Sequence, residues 1–213
     1  MPPRVDPVIA CVTGPDGSGK STQVAAIAVR LRKKGFSVAS SQIWDPMLDP
    51  AFAGRALFDC PAKADAYLAL LDSTSRMYFL CHALQESLVR ARARKTDVIL
   101  LNAYWYKYHA MEVAHSGDAL TLRTISSALP VPDMTFYLRI PPSQAARRKD
   151  KFTGYETGFA PARTAAAFES FQVVAAREME TLARELGWIA LSGEEPAPAI
   201  TEQIVTQLTE RLA

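Results

Sequence analysis

The chain has 213 residues, of which 49% are hydrophobic and 22% are charged, so it can form one domain whose core needs no disulfide or metal. Its formal net charge of +2 is too small to indicate nucleic acid or an anionic membrane as a partner. The three cysteines are odd in number and lack metal-ligand spacing, which favours a reducing compartment. No segment has the pattern of a signal peptide or of a membrane span. We therefore expect a cytoplasmic protein that binds neither nucleic acid nor membranes.

A glycine-rich run over residues 14–22 follows the apolar stretch Val8–Thr13 and precedes a helical pattern. Gly-x4-Gly-Lys-Ser in this context is typical of a loop whose backbone amides cradle a polyphosphate, with the positive end of the next helix dipole aimed at the anion. Lys20 adds a mobile cation, and the Ser21 hydroxyl can bind magnesium. The residues predicted to bind ATP are Gly14, Asp16, Gly17, Ser18, Gly19, Lys20, Ser21 and Thr22.

Strands and helices alternate along the rest of the chain. The predicted strands are Val8–Thr13 and residues 36–43, 98–101, 134–140 and 188–191. The predicted helices are residues 21–34, capped by Gly35, residues 63–95 and residues 199–212. This order implies a three-layer α/β P-loop NTPase fold, in which helices flank a five-stranded, mostly parallel sheet with its ligand crevice at the carboxyl ends of the strands. We expect one domain over residues 1–213.

A basic run begins at Arg147 and is followed by two glycines, Gly154 and Gly158. Four of its first five residues are cations, which suits a lid over about residues 147–160 that closes on phosphates. The alternative is a solvated helix face followed by a loop. Because a phosphate loop precedes it, the lid is the favoured interpretation, with Arg147 or Arg148 over the transferring group.

The order of these motifs resembles the thymidylate kinase family of P-loop nucleoside monophosphate kinases. The resemblance rests on the loop with Asp16 and Gly17 inside it, and on the run from Pro132 to Leu138 followed by Pro141 and Pro142. It implies an enzyme that uses ATP and Mg²⁺ to phosphorylate a nucleoside monophosphate, with dTMP as the default acceptor. It also implies a homodimer.

The middle of the chain departs from that family. The family's Arg-Glu-Pro is here Trp44-Asp45-Pro46, its Phe-x-x-x-Arg is residues 78–82, and its Asp-Arg-Tyr is residues 102–104. Three arginines that the family aims at phosphates are therefore missing, and the cations that could replace them are Lys107, Arg76, Arg55 and those of the lid. The residues that the resemblance assigns to the acceptor site are Asp16, Asp45, Tyr78, His82, Asn102, Tyr104 and Lys107.

Several interpretations stay open. Asn102 is a second candidate magnesium ligand, but it lacks the charge of the usual aspartate, for which Asp16 or Asp45 could compensate. Tyr78 could stack on the acceptor base or pack in the core, and the aromatic residues 104–108 could form a loop that walls a base pocket or could belong to the core. A degraded acceptor site would also suit an ATP-binding protein with a different acceptor, or one with degenerate catalysis and a regulatory role.

Overall fold

The computed structural model describes residues 6–48, 58 and 60–213. A five-stranded sheet forms its centre, with the strand order β2-β3-β1-β4-β5 and with all four pairings parallel. The strands are β1 (Val8–Thr13), β2 (Val38–Ser41), β3 (Val98–Asn102), β4 (Met134–Arg139) and β5 (Ile189–Ser192). The predicted α/β fold with a five-stranded parallel sheet is thus confirmed.

Nine α-helices lie within the described ranges. They are α1 (Lys20–Lys33), α2 (Asp45–Leu48), α3 (Pro61–Leu68), α4 (Ser73–Ala93), α5 (Tyr104–Ala114), α6 (Ala119–Ser126), α7 (Pro142–Arg147), α8 (Ala165–Glu185) and α9 (Ala197–Leu212). A short 3-10 helix, Tyr155–Thr157, lies in the segment predicted to form a lid. None of these described helices combines the length and the apolar character that crossing a membrane requires.

The sheet is covered by helices on both faces. Alternate residues of β1 serve opposite sides, so Ala10 and Val12 pack with α1 and α9, while Ile9 and Cys11 pack with α4, α5 and α8. All six β1 side chains are buried, as expected for a central strand of a parallel sheet. The same arrangement places the ends of β1, β2 and β3 side by side, at the carboxyl edge where ligands bind in such sheets.

The prediction of one helix over residues 63–95 is wrong, because α3 and α4 are separate helices. The Asp72 side chain caps α4 by accepting a hydrogen bond from the Ser75 amide. The Arg76 guanidinium donates to the carbonyls of Leu68 and Leu71, which satisfies backbone acceptors at the end of α3. The break therefore depends on two side chains rather than on a proline or glycine.

The prediction of an aromatic loop after β3 is also wrong, because α5 begins at Tyr104. One residue, Ala103, joins strand to helix, with φ of 75° and ψ of −55°. Tyr104 follows with a φ of 63°, so two successive residues with side chains adopt positive φ. Such strained backbone is concentrated at functional sites, and this turn lies at the edge of the cavity described below.

Candidate functional site

A cavity of about 500 Å³ opens at the carboxyl ends of β1, β2 and β3. It is lined by Asp16, Gly17, Gly19, Lys20, Ser21, Thr22, Gln42, Ile43, Trp44, Asn102, Ala103, Lys107, Tyr108, Arg148 and Lys149. These residues come from the loop after each of the three strands, from the first turns of α1 and α5, and from the segment after α7. Among the described lining residues, four cations face a single carboxylate, which favours an anionic ligand.

The loop between β1 and α1 requires glycine at two points where it contacts other elements. A Cβ on Gly14 would lie 2.7 Å from the carbonyl oxygen of Leu138 in β4, and φ there is +149°. A Cβ on Gly17 would lie 2.6 Å from the carbonyl oxygen of Ala145 in α7, with φ of +82°. The loop is thus held between a central strand and the helix that leads into the lid.

The loop presents unused polar groups. The N-terminus of α1 has no side-chain cap and no acidic residue in its first turn, so its free amides can bind an anion. Ser18 Oγ and Asp16 Oδ2 are buried and have no hydrogen-bond partner within the described structure. Unsatisfied buried polar atoms are costly, and their concentration at this loop fits a phosphate ligand.

Lys20, Asp16 and Lys107 form a buried charge cluster. The Lys107 ammonium lies 2.7 Å from Asp16 Oδ1, and the Lys20 ammonium lies 3.9 Å from the same oxygen while donating to the Pro15 carbonyl at 2.7 Å. Burial alone would raise the pKa of Asp16, but Lys107 and Lys20 hold it below its usual value. Burial lowers the pKa of Lys20 to about 8, with Lys107 adding to the decrease and Asp16 opposing it. Although burial opposes it, Asp16 raises the pKa of Lys107.

Ser21 and Asn102 meet where a metal ion would be expected. The Asn102 side-chain amide donates to Ser21 Oγ at 3.0 Å and to Gln42 Oε1 at 3.3 Å. Among the described residues, no group of three or more His, Cys, Asp or Glu side chains could hold a metal ion. Neutral oxygen ligands of this kind suit Mg²⁺ when phosphates supply most of its charged ligands, which is how Mg²⁺ commonly binds in phosphotransferases.

The basic segment predicted to form a lid contributes two cations to the cavity. Arg148 and Lys149 line it, whereas Arg147 is exposed and is not among the lining residues. The Lys149 ammonium lies 3.0 Å from Glu156 Oε1, so an ion pair joins the start of this segment to its 3-10 helix. Of the two arginines predicted to close over a phosphoryl group, the structure places Arg148 at the cavity.

The predicted acceptor residues are only partly brought together. Asp16, Asn102 and Lys107 line the cavity, but Asp45, Tyr78, His82 and Tyr104 do not. Tyr78 is 61% exposed and His82 is also exposed, whereas the Tyr104 hydroxyl donates to the Pro130 carbonyl at 2.8 Å. Asp45 accepts a hydrogen bond from the Gln42 amide instead of facing the cavity.

The cations proposed to replace the missing arginines also do not all lie at the cavity. Lys107 reaches the cavity, while Arg76 is buried away from it and paired with Glu112. All of the Arg76 side-chain nitrogens donate to protein acceptors, so this guanidinium has no role as a phosphate ligand in this arrangement. Arg55 lies outside the described residues.

Six lining residues were not among the predicted site residues: Gln42, Ile43, Trp44, Ala103, Tyr108 and Lys149. Lys149 belongs to the basic run, so charge had already marked its neighbourhood. Gln42 directly follows β2, and the rule that ligands bind at the carboxyl ends of parallel strands would have pointed to it. Tyr108 belongs to the aromatic group that could wall a base pocket, and Trp44 and Ala103 stand where the resembled family has arginines. Ile43 carries no comparable signal.

The chain is similar over much of its length to several proteins named as thymidylate kinases. A probable thymidylate kinase of Sulfurisphaera tokodaii is 25% identical over 198 residues, which cover 90% of each chain. A thymidylate kinase of Chlorobium chlorochromatii is 31% identical over 159 residues, covering 69% of this chain and 66% of the relative. A thymidylate kinase of Desulfotalea psychrophila is 28% identical over 149 residues, covering 68% and 69%.

No protein-family model matches the chain. The five-stranded parallel α/β sheet is consistent with the fold of these relatives. The chain therefore belongs to the thymidylate kinase family.

Proposed function

We propose that this protein is a nucleotide kinase that transfers the γ-phosphoryl group of ATP to a nucleoside monophosphate, with dTMP as the first acceptor to test. The observation that carries the proposal is the cavity where the uncapped start of α1, the Lys20 ammonium and the lid cations converge. Phosphoryl transfer needs positioning and charge stabilisation more than covalent help from the protein. The names of the relatives support the acceptor class.

In this mechanism the chain acts mainly through placed positive groups. The amides of residues 16–21 bind the donor β- and γ-phosphates, and Lys20 bridges them from inside the loop. Ser21 and Asn102 would hold Mg²⁺, which would supply positive charge against the donor phosphates. Arg148 and Lys149 approach from the lid, whose closure excludes water from the transferring group.

The affinity for ATP is expected to fall as the pH rises above about 8. Phosphates prefer the protonated Lys20, and burial lowers the pKa of this residue to about 8 in the free protein. Below that value Lys20 is already charged, so affinity is flat; above it, each pH unit costs up to about tenfold because binding must take up a proton. Isothermal titration calorimetry with ATP between pH 7 and 10, in buffers of different ionisation enthalpy, measures both the affinity for ATP and the number of protons taken up on binding. A pH-independent affinity without proton uptake contradicts this role of Lys20.

Lys107 is proposed to replace part of the missing arginine charge at the acceptor. A charge-assisted hydrogen bond contributes roughly 1.5 to 3 kcal/mol, so Lys107→Ala is expected to lower kcat/KM for dTMP by about tenfold to a hundredfold. The conservative Lys107→Arg variant should recover part of this loss. Steady-state kinetics with dTMP measure this loss, and titration with ATP measures the affinity for the donor. A lower kcat/KM for dTMP with an unchanged affinity for ATP places the effect on the acceptor side. Unchanged turnover and acceptor affinity in Lys107→Ala would end this assignment.

A second candidate function is ATP binding with another acceptor, or with degenerate catalysis and a regulatory role. It is favoured by two observations on the acceptor side: Asn102 carries no charge, and the Arg76 guanidinium is fully engaged by protein acceptors. In that case, ATP binding would close the lid without productive transfer to a nucleoside monophosphate.

The two candidates are separated by measuring ADP formation from ATP and Mg²⁺ with a panel of nucleoside monophosphates and nucleosides. The kinase proposal predicts acceptor-dependent ADP formation that disappears in Lys20→Ala. Tight ATP binding without turnover on any nucleoside monophosphate favours the second candidate.

Three further features complete the proposal. The resemblance implies a homodimer, and the chain is proposed to act as one domain with its lid over residues 147–160. The described cysteines, Cys11, Cys60 and Cys81, are free thiols, which is consistent with the proposed cytoplasmic location. Sedimentation equilibrium of the full chain tests the dimer.

A further inference from the structure

A buried hydrogen-bond network joins the lid to helices α4 and α5. Arg76 Nε lies 3.0 Å from both carboxylate oxygens of Glu112, and the side chains of the pair are 6% and 0% exposed. The Tyr155 hydroxyl donates to Glu112 Oε1 at 2.9 Å. Tyr155 belongs to the lid, so one buried carboxylate connects the lid to the helical layer.

Two other elements hold the same part of the lid. Asp65 in α3 accepts hydrogen bonds from the amides of Gly154 and Tyr155, at 3.3 and 3.2 Å. The Gln172 side chain in α8 donates to the carbonyl of Glu156 at 3.3 Å. The 3-10 helix of the lid is therefore attached to α3, α5 and α8.

This attachment continues to the cavity through Glu156. Its carboxylate pairs with the Lys149 ammonium at 3.0 Å and accepts from the Thr153 amide at 3.0 Å. Lys149 lines the cavity, so the path runs from Arg76 through Glu112, Tyr155 and Glu156 to a cation beside the phosphate loop. The backbone between Tyr155 and Glu156 is the covalent link in this path.

We propose that Arg76, Glu112 and Tyr155 are positioning residues that hold the lid closed and thereby fix Lys149 over the donor site. None of the three lines the cavity, so they act through Glu156 and Lys149 and not by contact with substrate. This inference rests on the proposed phosphotransferase function for its effect on catalysis. The closed lid itself can be measured without any activity.

The variant Tyr155→Phe removes one hydroxyl and keeps the buried ring, which packs 5.2 Å from His115 between ring centroids. Tyr137→Phe is the matched control, because Tyr137 is also buried and its hydroxyl interacts electrostatically with a glutamate, Glu180, outside the lid. Both substitutions delete the same atom. They differ in whether the lid loses an attachment.

Hydrogen exchange of the full-length, ligand-free proteins tests the closed lid. We expect the amides of residues 149–159 to exchange about tenfold faster in Tyr155→Phe, with no change in α9 and no such change in Tyr137→Phe. Unchanged exchange in the lid overturns the proposal. Faster exchange across the whole chain overturns it as well, because Tyr155 would then support the core and not the lid in particular.

In Tyr155→Phe we also expect ATP hydrolysis to be less tightly coupled to phosphoryl transfer to the acceptor. A loosened lid admits water, so Tyr155→Phe should raise acceptor-independent ADP formation relative to acceptor-dependent transfer, and should lower kcat more than ATP affinity. An unchanged ratio together with faster lid exchange would show that the network does not control catalysis and overturn that part of the proposal. If the wild-type protein transfers nothing, the proposed function fails, while the exchange result still decides whether the network closes the lid.

Discussion

The Lys20→Ala protein is expected to fold normally and to lose at least about a hundredfold in kcat/KM, because Lys20 is the cation placed inside the phosphate loop. Its ammonium is buried and is held 2.7 Å from the Pro15 carbonyl and 3.9 Å from Asp16 Oδ1. From there it can follow the negative charge that develops between the β- and γ-phosphates during transfer. Alanine removes that charge where water cannot easily replace it.

Lys33→Ala is the matched control for this experiment. Lys33 lies in the last turn of the same helix, α1, and is exposed to solvent. Its removal should leave kcat, KM and the affinity for ATP within about twofold of the wild-type values, since surface substitutions away from special contacts usually change little. Steady-state kinetics and titration of ATP measure both variants. Wild-type turnover by Lys20→Ala would show that the loop does not perform the assigned chemistry.

The Gly17→Ala protein is expected to lose ATP binding and part of its stability. The added Cβ would lie 2.6 Å from the Ala145 carbonyl oxygen, a distance that real Cβ atoms essentially never adopt, at a φ of +82°. The strained φ alone costs of order 1 to 3 kcal/mol, and the clash must in addition move the loop or α7. Either movement displaces the amides that are proposed to bind phosphate.

Gly35→Ala is the matched control, because it introduces a side chain at a positive φ without a steric clash. Gly35 has a φ of +92° just after α1, and a Cβ there would have no other atom within 4 Å. This control should lose about 1 kcal/mol of unfolding free energy and keep the wild-type affinity for ATP. Thermal unfolding and titration of ATP compare the two proteins. Equal affinities in Gly17→Ala and wild type would contradict the assigned loop geometry.

The central sheet could be predicted from the sequence because its strands are buried on both faces. Continuous apolar runs such as Val8–Thr13 leave little choice of structure, and the strand is found at those bounds. The helix cap at Gly35 also follows from local chemistry, since the Gly35 amide bonds to the Arg32 carbonyl and φ is positive. At the edge strand β2 the prediction was too long, because the register with β3 covers only Val38–Ser41. Before it, the Ser37 carbonyl still accepts a hydrogen bond from the Val98 amide.

The break between α3 and α4 and the turn at Ala103 could not be predicted. They depend on contacts between residues distant in the chain or on an unusual backbone conformation. From the sequence, Arg76 is expected to be a free cation on a helix. In the structure its guanidinium instead donates hydrogen bonds to Glu112, 36 positions away, and to the Leu68 carbonyl at the end of α3. The turn at Ala103 has positive φ at a residue that is not glycine, so no feature of the local sequence predicts it. The glycine loop after β1 differs, since the notable backbone conformations there fall on glycines that its sequence spacing already singles out: Gly14, Gly17 and Gly19 all have positive φ.

The most direct test of the proposed function is the transfer of the terminal phosphoryl group of γ-labelled ATP to dTMP in the presence of Mg²⁺. The proposal predicts labelled dTDP with the wild-type and Lys33→Ala proteins, and none above background with Lys20→Ala. Absence of labelled product from dTMP and from every other nucleoside monophosphate, by a protein that binds ATP, would contradict it.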